Sequence, residues 1–178
     1  IAYASRELGT SAKIVMPSDA PKIKIRKTQE YGAEVIFYDR DENNREEIGF
    51  SIAMKEGRKL IKPFDDLNVI YGQGTAALEV MNQVDTKFDM SVVCCSGGGL
   101  AAGTGIVLKN RFSDCQLFTA EPKDWNDHEK SFLQNNIVSI KTKKHGICDA
   151  LENPKPGEIT FRINSALNTK GLSANDKY

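Results

Sequence analysis

The run Cys95-Ser96-Gly97-Gly98-Gly99-Leu100 is the part of this sequence best equipped for chemistry. It follows MSVVCC at 90–95, which has the composition of an apolar strand, and precedes a helix-compatible stretch over about residues 100–110. Three consecutive glycines permit backbone with φ > 0 and gather several N–H groups into one concavity. The start of the following helix adds partial positive charge, and Ser96 adds a hydroxyl donor. Together these describe a phosphate cradle that needs no Lys or Arg. The plain alternative is a tight strand-to-helix turn without a ligand, for which one glycine suffices.

Local pattern leaves the owner of that phosphate open. Gly97-x-Gly99-x-x-Ala102 satisfies the dinucleotide fingerprint in its G/A form. Glu121 follows 19 residues after Ala102, just past the apolar run QLFTA, where a ribose-binding acid would stand. A nicotinamide or flavin dinucleotide is therefore one reading of the loop.

The elements that must position this loop alternate along the chain. Residues 12–16 (AKIVM) read as a strand stopped by Pro17, and 20–31 as a helix with Asp19 as N-cap and Gly32 just past its end. Residues 34–38 (EVIFY) read as the next strand, and 43–57 as a helix ending at Gly57. A helix over 74–83, the strand 90–95, the helix after the glycines, a strand at 116–120 and a helix near 126–134 follow, then a Pro- and Gly-rich loop at 153–157. Strand–helix–strand alternation with apolar strands predicts a doubly wound α/β fold whose parallel sheets are covered on both faces. The polar stretch 62–68 (KPFDDLN) is the candidate crossover, dividing the chain into domains at 1–64 and 65–178.

Composition excludes several classes. With 24 Lys+Arg against 24 Asp+Glu the formal net charge is +0, which argues against nucleic acid or an acidic membrane as the main partner. No apolar run approaches the ~20 residues needed to cross a bilayer. Cys94, Cys95, Cys115 and Cys148 include no CxxC pair, so a reducing, cytoplasmic setting is expected rather than a disulfide scaffold. Cys94 and Cys95 read as small apolar fillers of a buried strand. His128 and His145 lack metal-ligand spacing and read as surface or loop residues, and Lys22, Lys24 and Lys27 as a solvated helix face. The opening IAYASREL has no Met and the closing LSANDKY has no obvious stopping element, so the chain reads as an interior piece of something longer.

Several separate motifs then point one way. AKIVMPSDAPKIKIRKTQEYGAEVIFY, KPFDDLNVIYGQGTAALEV, SGGGLAAGTG, FTAEP and HGICDALENPKPGEITF, in this order, resemble fold-type II pyridoxal phosphate enzymes, the tryptophan synthase beta-like fold. Within them the likeness is to the threonine/serine dehydratase and serine racemase group, from about residue 1 to about 172. The resemblance implies that Ser96, Gly97, Gly98, Gly99 and the Leu100 amide hold the phosphate of pyridoxal 5'-phosphate. Ser96 replaces the first of the family's four glycines, and Lys62 stands where His is commoner. Phe64 of KPFDD falls beside the pyridine ring in the family; core packing is its alternative. Glu121, the Trp125 carbonyl and Asp127 fall on the family's divalent-cation site, a hard-oxygen set suited to Mg²⁺ or Ca²⁺; loop capping is the alternative. Arg45 matches a family arginine near the domain cleft, or is an exposed first-turn residue.

The implied activity is a lyase of amino-acid metabolism: a threonine or serine ammonia-lyase (dehydratase) giving a 2-oxo acid and ammonia, as a homo-oligomeric dimer or tetramer when full length. Serine racemase and 3-hydroxyaspartate dehydratase share these motifs. The family's Schiff-base lysine and its Ser-x-Gly-Asn segment are expected upstream of Ile1, so no catalytic nucleophile is assigned between residues 1 and 178. A non-catalytic phosphate-binding domain and a dinucleotide-binding domain are the readings from other classes.

Overall fold

Short apolar runs and amphipathic segments largely alternate because strands that must pair are separated by helices that must cover them. The computed structural model describes residues 1–142 and 145–177. The chain forms two compact units, Ile1–Leu60 and Ile61–Tyr178.

The first unit holds α1 (Ala2–Glu7), β1 (Lys13–Pro17), α2 (Lys22–Glu30), β2 (Glu34–Tyr38) and α3 (Arg45–Glu56). β1 and β2 pair in parallel with Ile14 opposite Val35 and Met16 opposite Phe37, and α2 is the crossover that parallel pairing requires. Lys13 Nζ ties both strands to the end of α3, lying 3.2 Å from Glu34 and 2.6 Å from Glu56. Asn44 caps α3 by accepting the Glu46 amide at 2.9 Å. Asp19 does not cap α2: the N-cap is Pro21, and the Asp19 carboxylate lies 2.9 Å from the Arg40 guanidinium. A competing cation outweighed the local cap. Lys22, Lys24 and Lys27 are exposed, and Arg45 is the half-buried first residue of α3.

The second unit holds α4 (Leu67–Gln83), β3 (Met90–Cys94), α5 (Gly99–Arg111), β4 (Gln116–Pro122), α6 (Asp127–Gln134), α7 (Glu158–Ala166) and β5 (Lys170–Ala174). Its three strands are parallel in the order β3-β4-β5. α4 starts seven residues before the expected position, because Asp66 accepts the amides of Asn68 (2.8 Å) and Val69 (3.4 Å) and so nucleates a turn there. α7 and β5 lie in a stretch for which no element was predicted. Met81, Leu108, Cys115 and Leu117 form the core, with Phe88, Val107, Phe112 and Leu167 packed on it.

The expectation of strands covered on both faces holds for β4 on one face only, where Leu117, Thr119 and Glu121 are buried. On β3, Met90, Val92 and Cys94 are exposed, so Cys94 is not a buried filler; Cys95, one residue later, is 1% exposed.

α5 is fixed by a backbone-to-backbone crossing with α4. A Cβ on Gly103 would stand 2.4 Å from Ile70 O, and one on Gly74 2.9 Å from Gly103 O. No side chain fits between the two helices. Gly103→Ala should therefore lower stability by about 1–3 kcal/mol despite alanine's better helix propensity. Denaturant unfolding of the full-length protein measures this; an unchanged or raised midpoint would contradict the close crossing.

Candidate functional site

The loop after β3 begins where strand pairing ends. Cys95 N donates to Ala120 O at 2.9 Å, one step beyond the β3–β4 ladder, and the chain then turns through Ser96, Gly97 and Gly98 into α5. The loop thus sits at the carboxyl end of a parallel sheet, the usual ligand edge of open α/β folds. Gly98 is the N-cap of α5 with φ +91, a conformation that favours glycine.

The loop's carbonyls and amides have different fates. Gly97 O accepts from Thr160 Oγ1 at 2.6 Å and from Gly157 N at 3.3 Å. Gly98 O accepts from Ala102 N at 2.9 Å and from Asn164 Nδ2 at 3.2 Å. Among the described residues, no acceptor takes the amides of Ser96, Gly97, Gly99, Leu100 or Ala101, and the Gly98 amide faces the Cys95 sulfur. A cluster of donors at a helix N-terminus with its carbonyls tied elsewhere is an anion cradle.

Other residues close around the loop. A Cβ on Gly97 would stand 2.2 Å from the Phe64 ring, and one on Gly99 3.0 Å from Phe64 Cβ and 2.8 Å from Gln73 Oε1. Phe64 is half-buried on the loop itself. Gln73 donates to Pro63 O at 3.3 Å, holding the KPFDD segment, while its buried Oε1 lacks a partner among the described residues. Asp65 Oδ1 accepts the Ile159 and Thr160 amides at 2.8 and 3.4 Å, capping α7.

His128 was expected at the surface but is 0% exposed. A Cβ on Gly98 would meet its Cε1 at 2.5 Å, so the imidazole backs the loop. Burial pushes it down to about 4, against the opposing pull of the Ser96 and Gly97 backbone, and the ring is neutral at pH 7. His145 remains largely exposed, with Nδ1 2.6 Å from Glu152. Burial raises the Cys95 thiol strongly, so it is not a nucleophile.

Glu121 and Asp127 meet at the start of α6. Glu121 accepts the His128 amide at 2.9 Å through one oxygen and the Glu129 amide at 2.8 Å through the other, so it caps the helix. Its acid is nevertheless pushed up to about 7 by burial, which those amides only partly offset. Asp127 is 0% exposed and neither carboxylate oxygen has a hydrogen-bond partner among the described residues. Burial first, and then the charge of Glu121, raise it to about 8. Trp125 ends a single 3-10 turn over Lys123–Trp125, between the two acids. Among the described residues no group of three or more His, Cys, Asp or Glu side chains is placed to hold a metal, so a cation here would rely on two carboxylates and a carbonyl.

Thr160, Asn164, Asp65 and His128 were not picked out by sequence reasoning. The one available signal was Thr160 and Asn164 at i and i+4, two polar residues on one helical face.

The family model described as "Pyridoxal-phosphate dependent enzyme" matches residues 1–178. The chain is 40% identical over 163 residues to an L-threo-3-hydroxyaspartate ammonia-lyase of Saccharomyces cerevisiae, covering 92% of this chain and 49% of that protein. It is 33% identical over 156 residues to a catabolic L-threonine dehydratase of Escherichia coli, covering 88% and 47%. A solved structure of maize serine racemase superposes with a TM-score of 0.90 at 30% identity, covering 99% of this chain and 53% of that one. The chain spans about half the length of the curated relatives it matches.

The two raised acids give a pH signature. Their folded values, about 7 and about 8, lie above the ordinary 4.5 and 3.8. The stability they confer is therefore complete below the unfolded values and is lost as pH rises through the folded ones. In a chelator, these two acids should lower the melting temperature of the full-length protein progressively between about pH 4 and pH 8, with a shallower fall in Asp127→Asn. Equal slopes in both proteins would show that Asp127 does not titrate in this range.

Proposed function

The chain belongs to the pyridoxal-phosphate dependent enzymes, and from that premise we propose that it is the phosphate-gripping portion of an ammonia-lyase acting on hydroxy amino acids. The observation that carries the reading is the loop Ser96–Leu100, whose carbonyls at Gly97 and Gly98 are bound from behind while the amides of Ser96, Gly97, Gly99 and Leu100 have no protein acceptor among the described residues.

The residues fit the cofactor. Side chains at 97, 98 or 99 would collide with Phe64, His128 or Gln73, so the loop stays bare backbone, as close approach of a phosphate demands. The amides of Ser96, Gly97, Gly98, Gly99 and Leu100, with the Ser96 hydroxyl, would hold the phosphate, and Phe64 would lie beside the ring. Bound pyridoxal phosphate supplies an electron sink that makes the amino-acid Cα proton acidic. The first unit takes the substrate-side role and the second the cofactor-side role. The family's lysine motif has no counterpart between residues 1 and 178. This chain therefore binds and orients; the covalent step belongs to residues outside it.

The divalent-cation assignment to Glu121, the Trp125 carbonyl and Asp127 also fits. Two buried acids without a cation are held partly protonated, and Mg²⁺ or Ca²⁺ would restore both charges. Helix capping does not exclude this, since each carboxylate oxygen accepts more than one bond.

The relatives support this substrate class, one being named an L-threonine dehydratase and another an L-threo-3-hydroxyaspartate ammonia-lyase, and the serine racemase structure marks racemisation as the competing activity. Among the described residues all four cysteines are free, which suits a reducing compartment such as the cytoplasm. No described helix is long and apolar enough to cross a membrane. Exposed Leu67, Tyr71, Leu78, Met90 and Val92 are faces that the rest of the full-length protein, or a second copy in a dimer or tetramer, would cover.

The full-length protein should carry the visible absorbance of bound pyridoxal phosphate and release a 2-oxo acid and ammonia from L-serine, L-threonine or L-threo-3-hydroxyaspartate. The 178-residue chain alone should release none; turnover by it would place the reactive amine inside this chain. Gly98→Ala, which adds a Cβ in the left-handed region against His128, should weaken cofactor binding at least about tenfold.

A further inference from the structure

Three glycines in succession leave peptide planes that can flip at little cost, so something outside the loop must decide which way its amides face. A trans peptide is planar, with the C=O of one residue and the N–H of the next pointing in opposite directions. No cis peptide is present among the described residues. Fixing the carbonyls of Gly97 and Gly98 therefore fixes the amides of Gly98 and Gly99.

Besides the backbone bonds from Gly157 N and Ala102 N, both carbonyls are held by side chains from one face of α7. Thr160 Oγ1 reaches Gly97 O at 2.6 Å, and Asn164 Nδ2 reaches Gly98 O at 3.2 Å. The two side chains sit one helical turn apart and are each 0% exposed. Buried polar groups carry a desolvation cost, and Asn164 Oδ1 lacks a partner among the described residues, so an apolar pair would suit stability alone better. α7 is itself held at its first turn by Asp65, from the segment that also presents Phe64.

Resting on the cofactor reading above, we infer that Thr160 and Asn164 are positioning residues: from α7 they set the direction of the loop amides and hence the affinity for the cofactor's phosphate. They do not touch the phosphate. Their effect runs through the peptide planes of residues 97–99, and it is specific to ligands that carry a phosphate.

The test uses the full-length protein stripped of cofactor and titrated with pyridoxal phosphate and with pyridoxal, which lacks the phosphate, each followed by absorbance. Thr160→Val, which keeps the side chain's shape but not its donor, should weaken pyridoxal phosphate binding about tenfold and leave pyridoxal binding unchanged. Thr160→Ser should restore the wild-type value, and Asn164→Leu should repeat the selective loss, so the comparison survives if one variant fails to fold. Equal weakening for both ligands, or wild-type affinity in both Thr160→Val and Asn164→Leu, would overturn the inference. A wild-type protein that takes up neither compound would instead overturn the cofactor assignment itself, and this inference with it.

Discussion

The direction of a few backbone amides is the constraint on which the second unit depends. In the proposed reading an anion at Ser96–Leu100 would be held by backbone dipoles and the Ser96 hydroxyl, and dipoles act only where they are aimed. The surrounding elements bear on that aim. β4 takes the Cys95 amide and so sets where the loop departs. α4 crosses α5 at Gly74 and Gly103, which sets where the helix N-terminus lies. His128 of α6 backs Gly98, Phe64 lies on Gly97, and α7 holds two carbonyls. Glycine's lack of a preferred conformation becomes useful only because packing on several sides removes the alternatives.

The start of α6 illustrates a different economy. Glu121 satisfies two helix-terminal amides, an interaction that favours its charge, yet burial wins and holds the acid near 7. Asp127 has burial and a neighbouring acid against it, with only its own amide and Lys130 pulling the other way. A structure selected for stability alone would not bury that second carboxylate. The hard cation proposed here would reconcile both, by replacing the water each acid lost and screening their repulsion.

The sequence showed the elements whose signals are local. Apolar runs bounded by Pro17, Gly32 and Gly57 located β1, β2 and the ends of α2 and α3 to within a residue or two. Where a distant partner decides, local reading failed. Asp19 looks like a cap but serves Arg40. His128 looks polar and exposed because only the tertiary fold places a bare Gly98 over it. α7 was missed because its inward face carries Thr160 and Asn164, which break the apolar stripe that marks an amphipathic helix. The same substitution of polar for apolar that hid the helix is what connects it to the loop. The loop's residues were legible, but the reason its amides face outward was not, since that reason lies about sixty residues further along the chain.

The glycine spacing alone also fits a dinucleotide fingerprint, and the physical difference between the two readings lies in the acid. A ribose-binding carboxylate must stand at a strand end with an oxygen free to accept from a diol. Glu121 stands at the right place in the sequence but is 3% exposed, with both oxygens turned onto α6 amides. The family match over residues 1–178 agrees, and the fingerprint is a coincidence of shared need: any phosphate held by backbone at a strand-to-helix junction calls for glycines at similar spacing. The loop identifies the charge of the ligand. The rest of its chemistry is specified by what stands beside the loop, and here that is an aromatic ring on Gly97 and a pair of buried acids, of which Glu121, the one at the fingerprint position, has both oxygens engaged.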